Sequence, residues 1–122
     1  MDNRIFIPGN VPSSKNGRRN FKKISLPSKA VVRWRNNSSI FWSMGRKKFK
    51  KLIKDKEKPY KIYFEFIRGT KHKFDYINPA QTIQDEMVHH GWIDDDNADE
   101  IIPFFAPYSY NKKHPGVLIY VV

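Results

Sequence analysis

The sequence predicts an α+β fold: one small domain in which a mixed or antiparallel sheet of about four strands packs with two to three helices. Three observations carry this. Four short runs are dense in β-branched and aromatic residues, as strands are. Two longer stretches place apolar residues three and four apart, as helices do. The 122 residues suit one domain, here 1–122, with enough chain to bury a core.

Composition narrows the class further. Hydrophobic residues make up 39% against 29% charged, which favours a globular chain over a disordered one. The absence of cysteine removes disulfides, thiolate nucleophiles and Cys-ligated zinc, and fits a reducing cytoplasm. The N-terminus MDNRIFIPGN lacks a long apolar core, and no run approaches the ~18 residues of a membrane span, so a soluble, cytoplasmic protein without membrane contact is expected.

Taken in order, Arg4–Ile7 reads as a strand halted by Pro8-Gly9. Residues 8–27 are rich in Gly, Pro, Ser and Asn and carry Lys15, Arg18, Arg19, Lys22 and Lys23, a composition that suits either a flexible grip on a nucleic-acid backbone or a plain connector. A helical stretch follows with Ser28 as N-cap and Val31, Trp34, Trp42, Phe49, Leu52 and Ile53 on one side. Asn36-Asn37-Ser38-Ser39 weakens its middle and predicts either two helices or a helix after a loop. Arg46, Lys47 and Lys48 form a cationic back that suits phosphate contact or simple solvation. Trp34, Phe41 and Trp42 read as core, with base stacking as the alternative role.

Tyr60–Ile67, opened by Pro59 and closed by Gly69, reads as a central strand. Asn78-Pro79-Ala80-Gln81 reads as a helix start with Asn78 as the cap and Pro79 at the first helical position. Ala80, Ile83, Met87 and His90 then share a face, and Gly91 ends the helix. Ile101–Phe105 and 117–122 read as two strands joined by a hairpin loop containing Pro and Lys.

Charge is distributed unevenly over these elements. Up to Lys61 the balance is +15 and beyond it −4, giving the net +11. The basic half suits a polyanion, nucleic acid above all. Between Phe74 and Asn111 there is no Lys or Arg, yet eight carboxylates fall there: Asp75, Asp85, Glu86, Asp94, Asp95, Asp96, Asp99 and Glu100. Clustered carboxylates repel one another and any bound phosphate unless a cation sits among them. A hard divalent cation such as Mg²⁺ takes oxygen ligands and keeps several waters, so two or three carboxylates plus phosphate oxygens suffice. Asp75 lies just before the second helix and Asp94–Asp96 just after it, so a return of the chain over that helix brings carboxylates toward one sheet edge. The Asp94–Glu100 run lacks the glycine and distal glutamate of an EF-hand, and the adjacent His89 and His90 point about 100° apart.

Asp75-Tyr76-Ile77-Asn78, a helix, and Gly91-Trp92-Ile93-Asp94-Asp95 together resemble the RusA family of Holliday junction resolvases, whose pattern is Asp-x-Asp-Asn, a helix bearing a lysine, then an Asp-Asp pair. The opening Ile7-Pro8-Gly9-Asn10-Val11-Pro12-Ser13-Ser14-Lys15-Asn16 and its basic loop are similar to that family's start. The resemblance implies a homodimeric endonuclease of phage or prophage type, dependent on Mg²⁺ or Mn²⁺, that resolves four-way and other branched DNA by paired nicks in recombination and repair. It assigns Asp75 and Asp95 to the metal, Asp94 or Asp99 as a third ligand, and Asn78 and Gln81 to orientation or phosphate contact, with Lys73 and the basic residues above on the DNA. Two positions depart: Ile77 stands where the second aspartate belongs, and Gln81 stands where the lysine belongs. The alternative is therefore a branched-DNA-binding protein of the same fold without catalysis; a basic RNA-associated protein is the third reading.

Overall fold

The computed structural model describes residues 3–13, 18–21 and 24–122, with backbone alone for 18–21 and 24–27. The elements run β1 (Ile5–Pro8), β2 (Arg18–Phe21), β3 (Ile24–Pro27), α1 (Lys29–Ile53), β4 (Tyr60–Arg68), α2 (Ile77–His89), β5 (Ile101–Phe105), β6 (Ser109–Tyr110) and β7 (Gly116–Val121). The arrangement is the predicted α+β domain, with a mixed five-stranded sheet and two helices among the described residues.

β4 is central because its alternate side chains Ile62, Phe64 and Phe66 are all fully buried. β7 pairs with it antiparallel on one side, and β5 with the short β6 pairs parallel on the other. β1 closes the β7 edge, antiparallel. Parallel β4 and β5 need a crossover connection, and α2 supplies it. The expected hairpin between the last two long strands is therefore corrected: β5 and β7 lie on opposite sides of β4. The inward side chains of β4 and β7 outweigh loop proximity, since β7 buries Val117 and Ile119 only beside β4 and β1.

α1 is one continuous helix of 25 residues, so the expected break at Asn36–Ser39 does not occur. Its buried stripe runs Val31, Trp34, Ser38, Trp42, Gly45, Phe49, Ile53, spaced three or four apart throughout. Ser38 keeps its place in the stripe by turning its hydroxyl back to Arg35 O at 3.5 Å, within the helix. Gly45 belongs to the stripe because space there is short: a Cβ on it would stand 2.8 Å from Trp92 Cζ2. Ser28 caps the helix as expected, its hydroxyl accepting from Val31 N–H at 3.2 Å. Trp34 and Trp42 join the core as read; Phe41 does not, and faces solvent.

Trp42, Trp92 and Phe49 are fully buried between the helices and the sheet, where each contributes ~1.5–3 kcal/mol or more by leaving water. Trp92 donates its indole N–H to Trp42 O at 2.9 Å, which joins the end of α2 to the middle of α1. Gly91, at φ 75°, makes that turn: its N–H bonds Val88 O and the next N–H bonds Met87 O, the two bonds of a Schellman ending. Arg18–Phe21 and Ile24–Pro27, expected within a loop, pair as an antiparallel ribbon in which Arg18 is opposite Pro27 and Phe21 opposite Ile24. No helix among the described residues is long and apolar enough to cross a membrane.

Candidate functional site

Asp75 sits between two anchored aromatics. Phe74 lies beneath the Arg68 guanidinium, 4.5 Å from the ring centre, and Tyr76 stacks on Phe105 at 5.3 Å while its hydroxyl accepts from Tyr108 N–H at 3.0 Å. Both neighbours turn inward, which leaves the Asp75 carboxylate exposed and, among the described residues, without a partner.

α2 begins earlier than its sequence suggests. Tyr76 occupies the cap position without a side-chain cap bond, and the expected Asn78 cap is corrected: Asn78 is inside the first turn, 7% exposed, its N–H on Asp75 O at 3.1 Å. Pro79 is still tolerated because the N–H groups of a first turn have no partner within the helix. Ile77, on the same helix, is 72% exposed. Gln81 is one turn further on, roughly 6 Å along the axis and on the same face.

Gln81 links this face to the acidic loop. Its amide donates to Asp85 Oδ1 at 2.8 Å and to Asp96 Oδ2 at 3.2 Å, so the chain after α2 folds back along the helix. Within that loop, Asp95 accepts from Asp96 N–H at 2.7 Å and from Asn97 Nδ2 at 3.1 Å. The Asp96 N–H first, then the Asn97 amide, hold the Asp95 carboxyl below the usual carboxylate value, so it is ionised at neutral pH. Asn97 also accepts from Asp99 N–H through its side chain and from Glu100 and Ile101 N–H through its carbonyl, which makes it the pivot of the loop. Lys58 lies between Asp94 at 3.3 Å and Glu100 at 2.8 Å, and these two carboxylates raise its pKa, Glu100 the more strongly.

The donors of this region are carboxylate oxygens, the chemistry of a hard cation. Among the described residues no three His, Asp or Glu side chains stand together so as to hold a metal by themselves. Carboxylate oxygens left exposed at Asp75 and Asp95 suit a hard cation that keeps its waters, and the described residues do not make a fully enclosed site. Of the other residues in view, Asp94 and Glu100 are engaged by Lys58, Asp96 by Gln81, and Asp99 is exposed.

Of the basic residues, Lys47 and Lys73 are exposed, Arg46 donates to Gly91 O at 3.3 Å, and Lys48 donates to Arg4 O at 2.9 Å. Arg18 and Arg19 lie on β2; Lys15, Lys22 and Lys23 lie outside the described residues. The start of the basic segment is fixed next to α2: Thr82 donates to Pro12 O at 2.8 Å, Arg68 to Val11 O at 2.8 Å, and Asn10 accepts from Gly69 N–H at 2.9 Å. Thr82 directly follows Gln81, so Pro12 is held against α2 one residue from the side chain that reaches Asp96.

Sequence reasoning singled out none of Lys58, Asn97 and Thr82, and counted the buried Glu86 only as one carboxylate of the acidic stretch. Only its place beside Asp94–Asp96 hinted at Asn97, and nothing near that run pointed to Lys58. Glu86 is held by Arg35 Nε at 3.1 Å and His90 Nε2 at 3.1 Å, and His90 in turn stacks on Trp42 with ring centres 6.1 Å apart. Compared with known proteins, the chain matches no family model, and no curated protein matches its sequence.

Proposed function

We propose that this chain is a metal-dependent endonuclease acting on four-way and other branched DNA, working as a homodimer in the cytoplasm in the manner of the RusA resolvases. The observation that carries this reading is the Asp75 carboxylate, exposed and unpartnered among the described residues, at the head of the helix that Gln81 ties to the Asp94–Asn97 loop. A DNA-binding chain of net charge +11 gains nothing from such a carboxylate unless a cation joins it to the substrate. Asp75 and Asp95 would hold Mg²⁺ or Mn²⁺, which when bound supplies a more acidic water and neutralises charge at the phosphodiester.

The chain's own residues prepare that meeting. Asn97 and the Asp96 N–H keep Asp95 ionised, Gln81 sets the loop against α2, and Lys58 removes Asp94 and Glu100 from competition for the cation. Asp99 then stands ahead of Asp94 as a further ligand. The exposed cations Lys47 and Lys73 supply phosphate contacts.

A second reading, binding of branched DNA without cleavage, is favoured by one observation: Ile77 is exposed to solvent where a further carboxylate would bridge Asp75 and the Gln81 face. The deciding experiment is nicking of a synthetic four-way junction with Mg²⁺, Mn²⁺ or EDTA, for the wild type, Asp75→Asn and Asp95→Asn. Paired, metal-dependent nicks lost in both variants while binding persists support the nuclease. Tight binding without nicks under any metal rejects it, and cleavage gained by Ile77→Asp then establishes the second reading. Absence of preference for branched DNA over RNA of equal charge rejects both.

A further inference from the structure

Of the three aromatics that the sequence offers for base stacking, two are enclosed. Trp34 and Trp42 meet edge to face in the core, and Trp42 also stacks on His90. Phe41 is left at the surface, and its neighbours are as open: Ile40 is 62% and Met44 69% exposed. Met44 is one turn from Ile40 and three residues from Phe41, so the three adjoin as a ridge on α1, turned away from the buried stripe of Trp34, Ser38, Trp42 and Gly45. A lone apolar residue at a surface is ordinary; three that adjoin on one helix mark a contact.

Charge narrows the partner. α1 carries eight Lys and Arg between Lys29 and Ile53 and no Asp or Glu. Arg33 lies two turns before Ile40, Lys47 two turns after it, and Lys51 two turns after Met44, so these three exposed cations share the side of the ridge. At ~1.5 Å per residue they span roughly 27 Å, with the apolar part between them. The partner must present the converse, an apolar slot bordered by anions. The ridge is also convex, so it enters a gap rather than receiving a side chain.

A branch point in DNA has this form. Base faces there lose their stacked neighbours, and the phosphates of the arms border the opening. A continuous duplex offers the same phosphates but no slot, since its bases must first be unstacked at a cost in energy. The ridge also lies in the layer that carries the candidate site. α1 is beside α2, with Arg35 reaching Glu86 at 3.1 Å and Trp92 reaching Trp42 O at 2.9 Å, and Asp75 heads α2.

We propose that Ile40, Phe41 and Met44 form a wedge that enters the branch point of junction DNA between unstacked bases, while Arg33, Lys47 and Lys51 hold the phosphates around it. The proposal rests on the branched-DNA reading above and names the part of the chain that tells a branch from a plain duplex. The wedge sets the ratio of branched to linear affinity; the cations set affinity for both.

The test is made in EDTA, so that cleavage plays no part, with a synthetic four-way junction carrying 2-aminopurine either at the branch point or in the middle of one arm. Wild-type binding is expected to raise the fluorescence of the branch-point probe and leave the arm probe unchanged. The triple variant Ile40→Gln, Phe41→Gln, Met44→Gln is expected to lose that rise and to cut the preference for the junction over a linear duplex at least about tenfold, with the salt dependence unchanged. Lys47→Gln with Lys51→Gln is expected to weaken both DNAs alike, to lower the slope of log affinity against log salt by about 2, and to keep the rise at saturation. Circular dichroism checks folding, and the single change Ile40→Gln at an exposed position decides should the triple variant unfold. A wild type that prefers the junction without a branch-point rise, or a triple variant that keeps both rise and preference, overturns the wedge and leaves the branched-DNA reading standing. A wild type with no preference for the junction overturns both. Binding to phosphatidylserine-containing vesicles by the wild type but not the triple variant, without a branch-point rise, assigns the ridge to an anionic lipid surface and likewise overturns the wedge.

Discussion

Gly45→Ala reverses its usual sign in this protein. In an exposed helix interior, glycine to alanine stabilises by ~1 kcal/mol because the backbone loses less freedom on folding. Gly45 is inside a 25-residue helix but on its buried stripe, where an added Cβ would lie 2.8 Å from Trp92 Cζ2 and 3.0 Å from Ile5 Cγ2. Neither neighbour yields freely: Trp92 is fully buried and held by its bond to Trp42 O, and Ile5 is paired in the sheet. Overpacking of this kind costs ~1–3 kcal/mol. Taking about 2 and subtracting the helix gain leaves a net loss of about 1 kcal/mol, or about 4 °C in Tm for a chain of this length. Gly45→Val, with more volume and no comparable helix gain, should lose at least about twice as much. Urea unfolding at fixed pH measures both. A gain of about 1 kcal/mol for Gly45→Ala, as at a free helix position, would refute the packing argument and with it the role of Trp92 as a fixed wall.

Three further outcomes are expected. Ser28→Ala should cost about 1 kcal/mol by leaving Val31 N–H without its cap, whereas Ser28→Gly should cost only a few tenths; urea midpoints compare them. Glu86→Ala should cost about 3 kcal/mol, because it strands Arg35 and His90 around a buried position; that is the low end for a buried pair, since 31% of the Arg35 side chain remains in water, and a loss under about 1 kcal/mol would mean that the pair adds nothing. Asp95 titrates below an ordinary aspartate, so its contribution to stability is complete above the unfolded-state value and is lost as pH falls through the lowered folded one. Asn97→Ala should move that titration upward in carboxyl-carbon NMR, and an unmoved midpoint would show that the Asn97 amide does not act on it.

Much of this protein is local and therefore readable along the chain. Ser28 at a helix start, Gly91 at a helix end, and the alternation of Ile62, Phe64 and Phe66 each express a constraint met within a few residues, by a cap bond, a left-handed turn or a pleat. The acidic run and the basic half are equally plain, being matters of composition. Asn78 misled because an asparagine before proline satisfies the same local rule as a cap, and only burial against the core shows that the helix has already begun. The Asn36–Ser39 run misled in the opposite sense: its weak local preference for helix is overridden by the flanking Trp34 and Trp42, both buried in the core.

Which distant groups meet is a matter of packing and is invisible along the chain. Strand order depends on the total apolar surface that β4 and β7 remove from water together, a quantity no single segment carries. Gln81 reaches Asp96, Lys58 lies between Asp94 and Glu100, and Thr82 holds Pro12, each because a crossover helix returns the chain alongside itself. The kinds of group available and their sign of charge belong to the residues and are already present in the unfolded chain. Their pairing, and hence which carboxylates remain open at Asp75 and which are already engaged, belongs to the packing of one core, where long-range contacts are settled all at once.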